Sequence, residues 1–290
     1  MEKVLILGSS GLLGRHIYEK LNKDKKIQLF HTGLKKKKID FLNRGLVKKL
    51  ICSISPSLII NSIGFTDIEK CEKNKKFSKK INYELVREIF ELKKKRKLNF
   101  HFIHISTDQF YNGKNKRKSK ENSKIFLMNT YCRHKRLAEK ICLKNKALIF
   151  RTNFFGKSIT KKNSFSDWIF YSFKKKKKIF LFKNVLFNPI RINTITNILS
   201  LIIQIKKYNF NGIYNLGSKG SIFKNEFALL FAKKTSVIHK NYFHINVNKL
   251  LKVKRSTNMY MNEEKFEKKF NIKLPHIKSE IKNEAKNYIK

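Results

Sequence analysis

Four apolar residues, Val4-Leu5-Ile6-Leu7, run straight into Gly8-Ser9-Ser10-Gly11-Leu12-Leu13-Gly14 and then into a helical stretch. A strand that becomes a helix within so few residues needs glycine at three places: where the turn is tight, where backbone approaches a ligand, and where helix closes on sheet. Such a turn aims free N–H groups and the positive end of the helix dipole at an anion. The spacing therefore predicts a pyrophosphate-cradling strand–turn–helix unit built from Gly8, Ser10, Gly11, Leu12, Leu13 and Gly14, with Arg15 as a further phosphate partner.

The alternation of strand and helix continues along the chain. Strand-like runs at Ile27–Phe30, Leu58–Asn61, Phe100–Ser106 and Leu148–Arg151 are separated by helical patterns around Leu46–Ile54, Phe77–Leu92 and Tyr131–Leu143. The apolar runs are short and nearly continuous, as parallel strands covered on both faces are. The fold class is α/β, a doubly wound parallel sheet over residues 1–152, followed at 153–290 by a smaller mixed α/β substrate-binding part with segments returning to the sheet. In that part a helix carrying Trp168 and Phe173, a strand at Ile179–Phe182, a turn at Asn188-Pro189-Ile190, a strand at Asn211–Gly217 and a helix from Lys224 are expected.

A formal net charge of +47 suggests a binder of nucleic acid or membrane. The lysines are spread end to end, in runs such as 35–38, 93–95 and 174–178, and no nucleic-acid motif accompanies them, so they read as solvated surface and no nucleic-acid partner is expected. The four cysteines lack paired C-x-x-C spacing and read as reduced thiols of a cytoplasmic protein, with no metal site. No signal segment is indicated, and Ile195–Ile205 is too short to span a bilayer, so no membrane insertion is expected.

Tyr131 and Lys135 lie four apart at the start of a helical stretch and share a face. A phenol ionises near ~10, and an ammonium neighbour lowers that by stabilising phenolate, which suits proton exchange with an alcohol or carbonyl. The same spacing also arises by chance in a lysine-rich chain. His104-Ile105-Ser106-Thr107-Asp108 closes a strand, where open α/β sheets place ligand groups; Thr107 can hydrogen-bond a substrate oxygen, although Ser-Thr at a strand end also caps helices. Asn61, Ser62 and Ile63 end the preceding strand and Asn82 starts a helical run, adding small and polar groups at that edge.

At these residues the chain resembles the extended short-chain dehydrogenase/reductases, and within them the dTDP-4-dehydrorhamnose reductase family. The resemblance covers nearly the full length and rests on Gly8/Gly11/Gly14, Asp40-Phe41, Ile59-Ile60-Asn61, Ser106-Thr107-Asp108, Tyr131 and Lys135 with Glu139, Phe150-Arg151-Thr152-Asn153, Gly212-Ile213-Tyr214-Asn215, and Arg255 with Asn258. It implies NAD(P)H-dependent reduction of a 4-keto nucleotide-sugar, foremost dTDP-4-dehydro-L-rhamnose, for envelope polysaccharide synthesis. Tyr131 would be the proton donor, Lys135 would tune it and bind the nicotinamide ribose, Thr107 would orient the carbonyl, and Asn82 would support a water and proton relay. Asp40, Phe41, Asn61, Ser62 and Ile63 would bind the cofactor; Thr107, Asp108, Asn153, Phe154 and Arg255 would bind the sugar nucleotide, with core packing and surface charge as the other readings of Phe154 and Arg255. Gln109 stands where related dehydratases place Glu, which argues against dehydration; an epimerase and a noncatalytic nucleotide-binding regulatory subunit are the alternatives. Relatives include homodimers, some bridged by magnesium, but no acidic cluster here marks a magnesium site. The second strand ends Phe30-His31-Thr32-Gly33 without the acid that NAD-selective turns carry, and Lys35 to Lys38 come close behind, which points to a preference for NADPH, or at least tolerance of it beside NADH, with one more solvated lysine stretch as the other reading.

Overall fold

Short apolar runs, each too hydrophobic to leave a face in water, assemble into one six-stranded sheet in the computed structural model, which describes residues 1–33, 40–113 and 116–289. The strands are β1 (Glu2–Leu7), β2 (Ile27–His31), β3 (Leu58–Asn61), β4 (His101–Ile105), β5 (Leu148–Thr152) and β6 (Gly212–Leu216), in the spatial order β6-β5-β4-β3-β1-β2. The pairs β1·β2, β1·β3, β3·β4 and β4·β5 are parallel. Val4 to Leu7 and Leu58 to Ile60 have no exposed surface, as strands covered on both faces require.

The chain leaves β1 for β2 on one side and returns to place β3 on the other. The strand order therefore reverses beside β1, and the carboxyl ends of β1 and β3 flank the crevice where doubly wound sheets bind ligands. The helices include α1 (Leu12–Leu21), α2 (Arg44–Ile54), α3 (Leu85–Lys95), α4 (Thr130–Lys144) and α5 (Ile192–Gln204). Val47, Ile51, Leu85, Ile89, Ala138 and Cys142 from α2, α3 and α4 pack on Leu5, Ile59 and Ile149 of the strands. Each such Val, Leu or Ile side chain contributes roughly 1.5–3 kcal/mol by leaving water.

The expected helix at Phe77–Leu92 is instead α-helix at Lys75–Lys79, a π-turn at Lys80–Glu84, and then α3. Periodicity marks the apolar face of such a segment but not the extra residue that widens one turn.

Two units interleave along the chain. One holds residues 1–107, 129–151 and 196–214; the other holds 108–128, 152–195 and 215–290. Residues 108–128, expected with the first domain, thus lie in the second unit, while 196–214 return to the first. The second unit has its own aromatic core. Phe170 and Phe173 of helix Phe165–Lys174, Phe227 and Phe231 of helix Lys224–Lys234, and Ile281 and Tyr288 of helix Ile277–Ile289 pack together there. Helix Phe165–Lys174 starts in a capping box: the Asp167 N–H donates to Ser164 Oγ at 3.0 Å, and the Ser164 N–H donates to Asp167 Oδ2 at 2.8 Å. Among the described residues no helix is long and apolar enough to cross a membrane.

Candidate active site

The glycine turn shows why each glycine is there. Gly8 has φ +89°, a conformation that L side chains rarely adopt. A Cβ on Gly14 would run into the Gly8 carbonyl oxygen and lie 2.6 Å from Ser62 Oγ, so only glycine lets α1 close on the carboxyl ends of β1 and β3. A Cβ on Gly11 would meet, among the described residues, only the Gly8 oxygen, at 3.2 Å. From behind, Thr32 Oγ1 at the tip of β2 accepts from the Gly8 N–H at 3.0 Å and donates to the Ile6 carbonyl at 3.2 Å. Gly11, the N-cap of α1, gives no side-chain cap, and the first turn of α1 carries no acid. The Ser9 hydroxyl is fully buried with no hydrogen-bond partner among the described residues. An uncapped helix start, a buried unsatisfied hydroxyl and an open Gly11 fit a bound phosphate group.

Helix α4 is fixed at several points of the first unit. The Asn129 side chain caps it by accepting from the Cys132 N–H at 3.0 Å, and Glu72 accepts from the Thr130 N–H at 2.9 Å. Tyr131, in the first turn, is 7% exposed. One turn on, Lys135 is buried and its Nζ donates to the Ile105 carbonyl of β4 at 2.7 Å. Burial pushes the Lys135 pKa down to about 8, against the Glu139 carboxylate that favours its charge. Another turn on, Glu139 accepts from Ser106 Oγ (2.7 Å), from Arg151 through Nε (2.9 Å) and a terminal nitrogen (2.8 Å), and from Arg136 (2.8 Å). Burial pushes the Glu139 carboxyl up, but Arg151, Ser106 and Arg136 together outweigh it and the group stays below its ordinary value. This buried network ties the helix carrying Tyr131 and Lys135 to Ser106, the residue before buried Thr107.

Asn82 lies inside the π-turn. Its Oδ1 accepts from the Phe65 N–H at 2.9 Å, and its Nδ2 donates to the Phe65 carbonyl at 3.0 Å and to Ser78 Oγ at 3.2 Å. It pins the loop that leaves β3. Ser62 Oγ donates to the Leu7 carbonyl at 2.9 Å, joining the ends of β1 and β3.

In the second unit Asp108 is buried; its Oδ2 accepts from Asn153 Nδ2 at 2.8 Å. Burial raises the Asp108 pKa to about 6, with Asn153, the charge of Lys224 and Gln109 opposing. Lys224 starts its helix with Nζ over the Phe165 and Phe187 rings, at 5.5 and 5.6 Å, and the Arg255 charge reaches it. A cavity of about 230 Å³ is lined by Phe165, Trp168, Phe180, Leu181, Phe182 and Lys224. Phe154 pairs in a short parallel ladder with Ile190 and is half-buried.

The sequence profile of the RmlD substrate binding domain family matches residues 1–289. The chain belongs to that family. Among solved structures, a dTDP-4-dehydrorhamnose reductase from Clostridium acetobutylicum aligns with TM-score 0.85 and 21% identity, covering 98% of this chain and 99% of its own. The Bacillus anthracis dTDP-4-dehydrorhamnose reductase in complex with NADP aligns with TM-score 0.85 and 20% identity over 99% and 98%. At these identities the likeness is one of fold. In sequence, the spore coat polysaccharide biosynthesis protein SpsK of Bacillus subtilis is 26% identical over 141 residues, 49% of this chain, and the match spans about half the length of that relative (48%).

In this RmlD-family chain the first unit brings Gly8–Gly14, Asn61–Ile63, Asn82, Thr107, Tyr131 and Lys135 into one body, and the second holds Asp108, Asn153, Phe154 and Arg255. Several expected cofactor residues have structural partners. Arg15 is paired with Glu19 at 2.6 Å. Asp40 is exposed and accepts from the Leu42 N–H at 2.8 Å, in a turn leading to α2; Phe41 packs on the first unit's core, and so does Ile63. Ser10 is exposed and Ser9 is buried. Lys35 lies outside the described residues. Sequence reasoning gave no role to Ser9, Thr32, His104, Glu72 or Lys224. Asn129 directly before α4 was readable as an N-cap; Lys224 was hidden among many similar lysines. Among the described residues no group of three or more His, Cys, Asp or Glu side chains is placed to hold a metal ion.

Proposed function

We propose that this protein is an NAD(P)H-dependent reductase of a 4-keto nucleotide-sugar, with dTDP-4-dehydro-L-rhamnose as substrate, acting in the cytoplasm for envelope polysaccharide synthesis. The observation that carries this reading is that one unit holds both an uncapped, glycine-lined helix start and a buried Thr107, Tyr131 and Lys135. The turn Gly8–Gly14 would hold the pyrophosphate, and the reduced nicotinamide supplies a hydride when bound. Tyr131 donates the proton to the C4 oxygen as that oxygen gains charge. Lys135, when charged, makes the phenol a better acid, and Thr107 orients the carbonyl by a hydrogen bond. Asp108, Asn153, Phe154, Arg255 and Lys224 are proposed contacts of the sugar nucleotide. The name of the Clostridium acetobutylicum relative supports the substrate class.

The β2 tip supports NADPH over NADH: Thr32 is committed to Gly8 and Ile6, and among the described residues no acid stands there to repel a 2′-phosphate. The deciding experiment assays the purified protein with a panel of 4-keto nucleotide-sugars and with NADPH and NADH. Reduction of the dTDP sugar with NADPH preferred is expected, and turnover in Tyr131→Phe should fall ~100- to 10,000-fold with cofactor affinity nearly unchanged. Cofactor binding without turnover on any substrate would make the protein a regulatory subunit instead.

A further inference from the structure

Lys135 has a second neighbour that the reaction scheme leaves unused. His104, on β4 and 1% exposed, has Nε2 at 3.1 Å from Lys135 Nζ and Nδ1 at 3.1 Å from Asn61 Nδ2. The Asn61 carboxamide is oriented by the Ile63 N–H, which donates to Asn61 Oδ1 at 3.1 Å. Only the oxygen of Asn61 can accept there, so its amide N–H faces His104 Nδ1, which must then be the unprotonated nitrogen of the ring. A neutral imidazole carries one proton, which leaves it on Nε2, facing Lys135. Burial, and then the Lys135 charge, hold His104 well below its ordinary value, so the ring stays neutral. An Nε2–H has an acceptor in a lysine amine and none in a lysine ammonium.

We propose that His104 is a positioning residue: the chain from the Ile63 N–H through Asn61 and His104 presents a hydrogen-bond donor to Lys135 Nζ and so favours its neutral amine, making its proton exchangeable near neutral pH. With the amine formed, every polar group has a partner: Nε2–H donates to Nζ, and Nζ donates to the Ile105 carbonyl. With the ammonium formed, two donors face each other inside the fold, at a cost that burial magnifies. Glu139, on Lys135's own helix, is the group whose charge favours the ammonium, while burial keeps the Cys142 thiol neutral. The elements packed on α4 carry the ion pairs Lys79 with Glu84, Arg87 with Glu91, Glu88 with Arg44 of α2, and Glu72 with Lys75 and Arg133, and further lysines at 73, 76, 80 and 93 to 95. The consequence for catalysis rests on the proposed role of Lys135 toward Tyr131; its protonation does not.

Competitive labelling of amines with acetic anhydride across pH, read at the Lys135 peptide by mass spectrometry, reports that protonation without substrate or turnover. In the wild type the labelling midpoint is expected near 8, where burial places it. His104→Phe keeps a flat ring and removes the donor, and should raise the midpoint by about one unit, cutting the reactive fraction at pH 8 several-fold. Asn61→Asp, a second route should the first variant fail to fold, offers an acceptor to Nδ1, moves the ring proton there, leaves Nε2 free to accept from the ammonium, and should also raise the midpoint. A midpoint unmoved in the folded variants, or a wild-type midpoint at the ordinary lysine value, overturns the proposal. Absence of reductase activity alongside the expected shift would instead overturn the proposed function and leave this inference standing.

Discussion

Asp108 shows how much a single burial decides. Out of water its carboxylate is penalised more than Asn153, Lys224 and Gln109 together restore, so its folded pKa of about 6 lies above the unfolded value. The folded state therefore holds a proton that the unfolded chain has released, and the resulting stability is present at low pH and lost as pH rises from about 4 through about 6. Asp108→Asn removes this dependence. Urea midpoints measured from pH 4 to 7 should decline for the wild type relative to the variant across that window, and parallel curves would show that Asp108 stays ionised throughout. The sequence placed Asp108 at the end of a strand motif but could not show whether water reaches it.

At the scale of elements, the segment from Lys75 to Lys95 is organised by its π-turn. Widening one turn sets Asn82 where its amide meets both backbone groups of Phe65, while Phe77, from the preceding turn, packs edge-on against the Phe65 ring at 4.9 Å. π-turns occur mostly as single turns inside helices, and frequently at functional sites. Asn82→Ala would leave the Phe65 N–H and carbonyl without this partner and should cost about 1–3 kcal/mol, visible as a lower urea midpoint. A fall in turnover with an unchanged midpoint would instead favour the relay that the family resemblance implies for Asn82. Helix α4 is the contrasting case: the Asn129 cap and the apolar face of Ala138 and Cys142 are local signals, so its position could be read directly.

For the whole molecule the dominant fact is charge, +47 with 67 basic and 20 acidic residues. Like charges spread over one surface repel, and the compact state bears that repulsion more than the expanded one. Raising ionic strength from 0.01 to 0.1 M shortens the screening length from about 30 to about 10 Å. The melting temperature should therefore rise with sodium chloride over that range, and scanning calorimetry at fixed pH would detect it. A melting temperature that falls with salt would mean that the ion pairs in this chain outweigh its net repulsion.

Whatever depends on neighbours in the chain was legible in the linear order of residues. The glycine turn, the strand-helix alternation, the Ile179–Phe182 strand, the helix from Lys224 and the Tyr131/Lys135 face all rest on spacings of a few residues, and they were enough to set the fold class. Whatever depends on residues far apart in sequence was fixed by the folded arrangement. Ser9 rather than Ser10 is enclosed by the turn, Thr32 braces Gly8 across 24 positions, and Glu139 finds Ser106 just past β4 and Arg151 on β5. His104 meets Lys135 only because β4 passes beneath α4. Hydrogen-bond partners and the burial that shifts a proton are properties of position in space, and a linear pattern specifies them only after the sheet has set its strand order.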